Sequence, residues 1–239
     1  MISVCIATYN GEKYIKQQLD SILQQLSDED EVIISDDGSA DATRELIGGY
    51  ASPQIHLLDG PCQGVVRNFE NALNHAKGDY IFLADQDDKW LPDKVKISLE
   101  YLKRYDCVVS DCYVTDTDLH VVYESFQNLL GKHKGMFYNL FIRNCYIGCC
   151  MAFNRRVLEK CLPFPPAIPM HDIWIGNVAA CLFRVHFLPD RLVYFRRHEG
   201  SASSSAHSSQ YTLLQKLRFR YRMAVELLKL LFFNRRHHH

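Results

Sequence analysis

Residues Tyr80 to Trp90 have the sequence YIFLADQDDKW, which is the most informative pattern in the chain. A run of strand-forming residues ends in three carboxylates within four positions, Asp85, Asp87 and Asp88. A strand with both faces buried carries such an apolar run, and its C-terminal end delivers the acids to the edge of a sheet. Like charges this close repel unless a cation lies among them, and carboxylate oxygens suit Mg²⁺ or Mn²⁺. The alternative is a solvated acidic turn in which Asp88 or Asp93 caps the next helix.

The sequence before this stretch alternates between strand and helix patterns. Strands are predicted at 2–7, 31–35, 55–58 and 80–84, and helices at 12–26, from 41 through 46, and at 65–76. This alternation over about ninety residues predicts parallel βαβ units. Ligands of such sheets bind outside the carboxyl ends of the strands. The segments that follow three of the strands are therefore expected to share one crevice: Thr8-Tyr9-Asn10, Asp36-Asp37 and Asp85-Gln86-Asp87.

Three motifs, in this order and spacing, resemble the inverting family 2 glycosyltransferases of the GT-A fold. They are SVCIATYNG at 3–11, ISDDGSAD at 34–41 and LADQDD at 83–88. Later in the chain, HDIW at 171–174 and YFRRHEGS at 194–201 resemble the bacterial rhamnosyltransferase-like members. The resemblance implies an α/β fold with a mostly parallel central sheet and flanking helices. It also implies a nucleotide-diphosphate sugar donor (dTDP-rhamnose or a UDP-hexose), a saccharide or lipid-linked oligosaccharide acceptor, and Mn²⁺ or Mg²⁺ as cofactor.

The resemblance assigns the nucleotide pocket to residues in and after the first two strands and at the start of the third helix: Thr8, Tyr9, Asn10, Asp36, Asp37, Arg67 and Asn68. It implies that Asp36 accepts a hydrogen bond from the base, and that Asp37 contacts the base or stabilises its loop. It further implies that Asp85 reaches the ribose and serves as a metal ligand together with Asp87. Asp88 is expected either to substitute for one of these acids or to cap the next helix.

A second acid of interest is Asp172, in the apolar and proline-flanked segment 169–174, where the pKa of a carboxyl can rise. The residues alone favour Asp172 as the N-cap of an apolar helix over 173–182. The resemblance implies instead that Asp172 deprotonates the acceptor hydroxyl, and the two roles are compatible. His171 is expected to position Asp172 or to face solvent. The implied reaction is one in-line displacement at C1 of the donor sugar, with inversion and no covalent intermediate.

Three further candidates follow from the resemblance, and two of them, His198 and Gly148, have a structural alternative. His198 is expected to ligate the metal or bind the diphosphate, or to be a surface histidine. Arg197 is expected to neutralise the leaving group. Gly148, in NCYIGCCMAF at 144–153, allows the backbone to approach a sugar closely or marks a bend without ligand contact.

Two rival functions are weaker. A nucleotidyltransferase would carry a Gly-rich loop with Lys or Arg after the first strand, and TYNGE at 8–12 is not one. A non-catalytic nucleotide-sugar binder would be favoured by loss of Asp172 or Asp87, and both are present. Donor turnover, as opposed to donor binding, separates these possibilities.

The composition fits one catalytic domain over 1–205, with a nucleotide-sugar half at 1–100 and an acceptor half at 101–205. The chain has 239 residues and a net charge of −1, which does not favour nucleic-acid binding. Its nine cysteines lack C-x-x-C pairs and are expected to be mostly buried, reduced thiols of a cytoplasmic protein. Neither a signal peptide nor a membrane span is expected. Residues 237–239 are interpreted as the remnant of a tag.

The segment 210–236 is predicted to form a basic amphipathic helix. Six apolar residues recur at helical spacing: Leu213, Leu217, Tyr221, Ala224, Leu228 and Leu231. Such a helix can lie on the inner face of the plasma membrane, pack on its own domain, or contact a second subunit.

Overall fold

The computed structural model describes residues 1–131, 135–166, 168–198 and 212–236 of the chain. Its strands are β1 (Ile2–Thr8), β2 (Glu31–Asp36), β3 (Ile55–Asp59), β4 (Tyr80–Asp85), β5 (Lys89–Trp90), β6 (Cys107–Thr115), β7 (Val121–Tyr123), β8 (Met151–Asn154) and β9 (Val185–Arg196). Its helices are α1 (Ile15–Leu23), α2 (Thr43–Gly48), α3 (Val65–His75), α4 (Lys94–Leu102), α5 (Phe126–Leu130), α6 (Met136–Phe141), α7 (Arg155–Cys161), α8 (His171–Leu182) and α9 (Leu213–Arg236). A 3₁₀ turn, Gly148–Cys150, precedes β8.

The described strands form one nine-stranded sheet in the order β3-β2-β1-β4-β8-β6-β9-β5, with β7 paired to β6. The first four are parallel, as the alternating pattern predicts. Strand β8 then runs antiparallel to both β4 and β6, so the sheet is mixed rather than mostly parallel. The register sets Thr8 opposite Asp36 and Ala7 opposite Asp85. The strand-end motifs therefore meet at one edge of the sheet, as expected.

The strands β1, β2 and β4 are apolar because helices cover both faces of this half of the sheet. Helix α3, for example, packs against β1 and β2. Helix α1 is shorter than predicted, since Gly11 O accepts hydrogen bonds from Tyr14 N and Ile15 N in a turn before the helix. All the cysteines are free and most are buried, where a thiol packs as a small apolar group.

Helix α8 lies unusually close to the segment before the 3₁₀ turn. A Cβ on Gly176 would lie 2.3 Å from the Tyr146 ring, so only glycine permits this approach. The Tyr146 side chain is buried at this contact. The close packing holds the start of α8 against Gly148.

Helix α9 packs against α6 and α8. The packed face contains Met223 and Leu227, whereas Leu217, Tyr221 and Leu228 of the predicted apolar stripe are exposed. The predicted choice of face was wrong because apolar residues occur on several sides of this helix, so their spacing does not identify the packed one. Among the described residues, no helix is both long enough and apolar enough to cross a bilayer.

Candidate active site

A cleft of about 1180 Å³ opens at the carboxyl ends of β1 and β4. One wall comes from the residues that end or follow these strands, and another from the 3₁₀ turn, the start of α8 and the first turns of α9. Nine of the residues predicted from the sequence line it: Thr8, Tyr9, Asp37, Asn68, Asp85, Asp87, Gly148, His171 and Asp172. The remaining predicted residues lie off this lining: Asn10, Asp36, Arg67, Arg197 and His198.

Asp36 is fully buried and its carboxylate is used within the protein. It accepts hydrogen bonds from Thr8 Oγ1 (2.8 Å), Ser39 Oγ (2.6 Å), Ser39 N (2.9 Å) and Arg44 Nη1 (3.3 Å). Burial alone raises the pKa of a carboxyl, but the bonds from Ser39, Thr8 and Arg44 outweigh it and hold the pKa of Asp36 below its ordinary value. This geometry disagrees with the expectation that Asp36 contacts the base, because its acceptors already have partners.

Asp37 and Asn68 do line the cleft, and each has a buried side-chain oxygen without a hydrogen-bond partner among the described residues. Asp37 Oδ2 accepts a hydrogen bond from Gly64 N at 2.7 Å, while its Oδ1 is buried without a partner among the described residues. Asn68 Nδ2 donates to Thr8 O at 3.1 Å, and its Oδ1 is likewise unpartnered in the described part of the chain. Buried acceptors without partners are costly, so these two oxygens are suited to a ligand's N–H or O–H.

Arg67, predicted to border the nucleotide, points away from the cleft. Its guanidinium forms a salt bridge with Glu70 and donates to the carbonyls of Phe164 and Pro165, both at 3.2 Å. The side chain therefore ties α3 to the segment between α7 and α8. The difference from the prediction arises because successive helical residues point about 100° apart, which turns Asn68 toward the cleft and Arg67 outward.

Gln86 is a cleft residue that the sequence analysis did not single out. Its Oε1 accepts from Tyr9 N at 2.9 Å and its Nε2 donates to Tyr9 O at 3.0 Å. Asn10 adopts a left-handed backbone (φ 48°), a conformation that Asn tolerates, and its Oδ1 accepts from Ala40 N at 2.9 Å. Gln86 and Asn10 thus fix the loops on either side of exposed Tyr9. The position of Gln86 between two motif acids was the available signal for it.

The three motif acids occupy different environments. Burial, followed by the neighbouring carboxylates of Asp87 and Asp172, raises the pKa of Asp85 to about 8. Asp88 is fully buried, accepts a hydrogen bond from Arg196 N at 2.9 Å, and has a pKa well above its ordinary value for the same reason, burial first. Asp88 therefore holds β9 in place and does not cap α4.

Two of the three residues predicted to bind a metal, Asp87 and His198, are in direct contact, and Asp85 lies near Asp87. Asp87 Oδ2 lies 2.8 Å from His198 Nε2, and Asp85 is crowded by the charge of Asp87. Near the cleft, the residues whose potential ligand atoms all lie within 4.8 Å of one another are instead Asp85, Asp88 and Cys149. We prefer the first set because Asp85 and Asp87 line the cleft, whereas Asp88 and Cys149 are buried behind it. Carboxylates with one imidazole form a donor set suited to Mn²⁺ or Mg²⁺.

Asp172 is the second residue of α8 and not its N-cap, since the helix begins at His171. Burial raises the pKa of Asp172 to about 6, although hydrogen bonds from the backbone of Ile173 and Gly148 oppose the rise. The bond from Ile173 N is 2.7 Å long. Such a carboxylate is mostly ionised at neutral pH and is still a stronger base than an ordinary aspartate, so it can accept a proton.

His171 is buried and stacks on Phe69 with 3.9 Å between the ring centroids. Burial lowers its pKa to about 3, so the ring is neutral near pH 7. A Cβ on Gly148 would lie 3.0 Å from His171 Nε2 and 3.6 Å from Asp172 Cβ. Glycine at 148 thus gives the cleft room beside Asp172, and His171 packs behind that acid rather than facing solvent.

Of the two neighbouring arginines at the end of β9, Arg196 lines the cleft and the predicted Arg197 does not. Arg196 is buried, lies over the Tyr14 ring at 4.3 Å and donates to Gln17. Arg197 lies over the Phe195 ring at 4.5 Å, and burial lowers its pKa. Side chains alternate along β9, so one of two neighbouring arginines had to turn from the cleft.

Comparison with known proteins identifies the family of the chain. The Glycosyl transferase family 2 model matches residues 3–162. A Bacillus subtilis protein named "Putative teichuronic acid biosynthesis glycosyltransferase TuaG" is 35% identical over 212 residues, which cover 86% of this chain and 82% of that protein. The Escherichia coli protein WfgD, a UDP-Glc:alpha-D-GlcNAc-diphosphoundecaprenol beta-1,3-glucosyltransferase, is 28% identical over 171 residues, 69% of this chain and 64% of its own. The chain spans 62% of the length of the uncharacterized mycobacterial relatives that it matches.

Solved structures share the GT-A architecture. S. aureus TarS 1–349 in complex with UDP-GlcNAc superposes with a TM-score of 0.68 at 21% identity, covering 93% of this chain and 66% of that one. The Pyrobaculum calidifontis mannosyltransferase PcManGT, in complex with GDP-Man and Mn²⁺, gives a TM-score of 0.59 at 23% identity, covering 79% and 55%. The family match over most of the chain, joined to this fold and to motifs that meet at one cleft, establishes that the chain belongs to glycosyl transferase family 2.

Proposed function

We propose that this chain transfers a sugar, with inversion, from a nucleotide-diphosphate donor to a saccharide or lipid-linked acceptor in bacterial surface polysaccharide synthesis. The observation that carries the proposal is the position of Asp172. A carboxyl whose pKa is about 6 lies in the same cleft as the acid pair Asp85 and Asp87. A proton acceptor and a site for a diphosphate-bound cation are the two groups that this chemistry requires. The name of TuaG supports the role in surface polysaccharide synthesis.

We further propose a pyrimidine nucleotide as donor, and a UDP-hexose in preference to dTDP-rhamnose. The unpartnered oxygens of Asp37 and Asn68 suit the N–H that uracil and thymine share, so they do not discriminate between the two donors. The preference rests on relatives: WfgD is named for UDP-Glc, and TarS was solved with UDP-GlcNAc. Because the later motifs resemble rhamnosyltransferase-like members, dTDP-rhamnose is included among the donors to be tested.

Asp85, Asp87 and His198 would hold the cation, which PcManGT binds as Mn²⁺ in its complex. When bound, such a cation neutralises the growing charge of the leaving diphosphate. Arg196, on the cleft wall, adds a fixed positive charge of this chain's own near the same acids. The next residue, Arg197, is half-buried, and we propose that it adds positive charge from behind the cleft wall.

Asp172 is the proposed base. Its carboxylate takes the proton of the acceptor hydroxyl as the acceptor oxygen bonds to C1 of the donor sugar. The bond from C1 to the diphosphate oxygen breaks on the other side, so the configuration at C1 inverts and the electron pair leaves with the nucleoside diphosphate. Gly148 leaves room for the acceptor beside Asp172, whose carboxylate is oriented by the bond from Ile173 N, while buried, neutral His171 stacks on Phe69.

The proposal is tested with a donor panel of UDP-Glc, UDP-GlcNAc and dTDP-rhamnose, read by thermal shift with Mn²⁺ and then with EDTA. A ligand at about 100 times its Kd stabilises the fold by about 2.7 kcal/mol, so a true donor stands out. We expect metal-dependent stabilisation by one donor, and its loss in Asp87→Asn but not in the surface control Asp118→Asn.

Turnover then separates an enzyme from a mere binder. Release of free nucleoside diphosphate that depends on an acceptor sugar supports transfer, and the anomeric configuration of the product reports inversion. Stabilisation without turnover on any acceptor tried would favour a nucleotide-sugar-binding protein, and no stabilisation by any donor would contradict the proposal.

Localisation is a further part of the proposal. We propose a cytoplasmic protein whose helix α9 contacts the inner face of the plasma membrane through its exposed side. Five large apolar side chains of α9 are exposed: Leu214, Leu217, Tyr221, Leu228 and Phe232. Lys and Arg residues flank them, a combination that favours an anionic lipid surface. Absence of binding to anionic vesicles at low salt would contradict this.

A further inference from the structure

The wall formed by α6 and α9 carries a cluster of positive charge inside the cleft. Arg143, Lys216 and Arg220 line it, and none forms a salt bridge with another described residue. Arg220 Nη2 donates to the carbonyl of Ile142 at 2.6 Å, which brings it beside the backbone of Arg143. The three cations therefore belong to one part of the cleft, on segments other than those that carry the acids.

Repulsion between two of these cations destabilises helix α9 when no anion is bound. Lys216 and Arg220 are four residues apart in α9, so they lie on one face, where like charges repel. Both side chains are half-buried, which weakens the screening of this repulsion by water. An anion bound between them would remove the repulsion and add charge-assisted hydrogen bonds.

Exposed apolar side chains lie next to this cluster. On α6 and just after it, Phe137 is 72% exposed and Ile142 is 61% exposed, and Phe137 stacks on Phe141. On α9, which contacts α6, Leu217 is 52% exposed. Large apolar surface of this kind on a folded chain is typical of a binding surface. A ligand that satisfies both features is an anion with a hydrocarbon chain.

We infer that Arg143, Lys216 and Arg220 bind the diphosphate of a lipid-linked acceptor, and that its hydrocarbon chain leaves the cleft across the exposed apolar residues of α6 and α9. The inference rests on the proposed function, since it assigns the acceptor side of the same cleft. A nucleotide donor does not account for it, because a donor has no apolar chain and its partners Asp37, Asn68, Asp85 and Asp87 lie on other segments. The acceptor thus presents its sugar to Asp172 while its diphosphate is held by α9.

The test measures binding of farnesyl diphosphate, below its micelle concentration, to protein saturated with UDP and Mn²⁺. The variant Lys216→Gln with Arg220→Gln removes two cations of the cluster. The matched control, Arg218→Gln with Arg222→Gln, removes the same charge at the same spacing from residues of α9 that do not line the cleft. Melting temperatures of both variants verify that each one folds.

We expect farnesyl diphosphate to bind together with UDP, and the cleft variant to weaken it at least roughly tenfold per removed charge. The control variant should leave the Kd unchanged, and farnesol and inorganic pyrophosphate should each bind more weakly than farnesyl diphosphate. Competition between UDP and farnesyl diphosphate, equal weakening by both variants, or equal binding of farnesol would each overturn the inference, as would no binding. The UDP titration alone reports on the proposed function, so the two can fail separately.

Discussion

Replacing Asp172 with asparagine is expected to abolish catalysis while making the fold more stable. The catalytic part follows from the proposed role as base: a positioned general base contributes about 10²- to 10⁴-fold to the rate, and an amide cannot take the acceptor's proton. Asparagine is nearly isosteric, and its side-chain oxygen can keep the 2.7 Å bond from Ile173 N. Donor binding should therefore change little.

The stability part follows from the raised pKa of Asp172. Its carboxyl titrates at about 6 in the fold and at 3.8 ordinarily, so the folded state holds the proton more tightly. The charged form costs stability progressively as the pH rises from 3.8 to about 6, and above that the cost is constant. Two pKa units correspond to an upper limit of about 3 kcal/mol, reduced because the side chain is partly open to the cleft. Asparagine carries no charge to desolvate, and its presence also relieves the repulsion on Asp85.

Two assays check this reasoning. Nucleoside diphosphate release at saturating donor gives the rate, and urea unfolding of the metal-free protein at about pH 4 and pH 7.5 gives the free energy of unfolding. Asp172→Asn should gain stability relative to wild type only at the higher pH. The exposed control Asp118→Asn should alter neither quantity. A variant that keeps a rate within threefold of wild type refutes the base assignment, and one that is less stable at pH 7.5 refutes the burial argument.

Two other substitutions test residues near the cleft. His171 has a pKa of about 3 in the fold and 6.5 ordinarily, so the wild-type protein loses stability as the pH falls below 6.5 and the unfolded chain takes up the proton. His171→Phe can keep the stack on Phe69 and has no proton to take up. Between pH 6.5 and 5, the free energy of unfolding of this variant, measured in urea, should therefore rise by about 2 kcal/mol relative to wild type. A difference that is independent of pH would mean that the ring protonates within the fold. Arg67→Ala should lower the free energy of unfolding by about 1–3 kcal/mol and leave UDP affinity unchanged, because Arg67, paired with Glu70 of the same helix, joins α3 to the carbonyls of Phe164 and Pro165. If the variant has normal stability but binds UDP more weakly in isothermal titration calorimetry, Arg67 is a nucleotide-binding residue after all.

The parallel half of the fold was predictable because its signals are local. Each apolar run of β1, β2 and β4 ends in polar residues, and ligand-bearing polar residues collect where parallel strands end. The α/β class was confirmed, and each of the three segments expected to share a crevice contributes residues to the cleft, although Asn10 and Asp36 do not line it. The acceptor half was not predictable to the same degree, since β8 and β9 join the sheet through pairings distant in sequence, with β8 antiparallel between β4 and β6. No local pattern specifies that order.

The contribution of α9 to the cleft was also not predictable from the sequence. Its charge and apolar content predicted a basic amphipathic helix, but the face that packs depends on α6 and α8. Lys216 and Arg220 line the cleft because Met223 and Leu227 are the residues that enter the core. A helix with apolar residues on several sides can dock in more than one rotation, so only the tertiary contacts decide which cations face inward.

The same limit explains a recurring feature of the site, in which two neighbouring polar residues of one motif take different positions. In each pair one side chain lines the cleft and the other makes contacts within the protein: Asp37 and Asp36, Asn68 and Arg67, Asp87 and Asp88, and Arg196 and Arg197. Neighbours on a strand point to opposite faces and neighbours on a helix diverge by about 100°, so adjacent side chains of a motif often meet different surroundings. The member inside the protein holds the loop or strand that carries the other, as Asp88 does when it accepts a hydrogen bond from Arg196 N. A motif therefore locates a functional pair, and the geometry of the backbone decides which member meets the substrate.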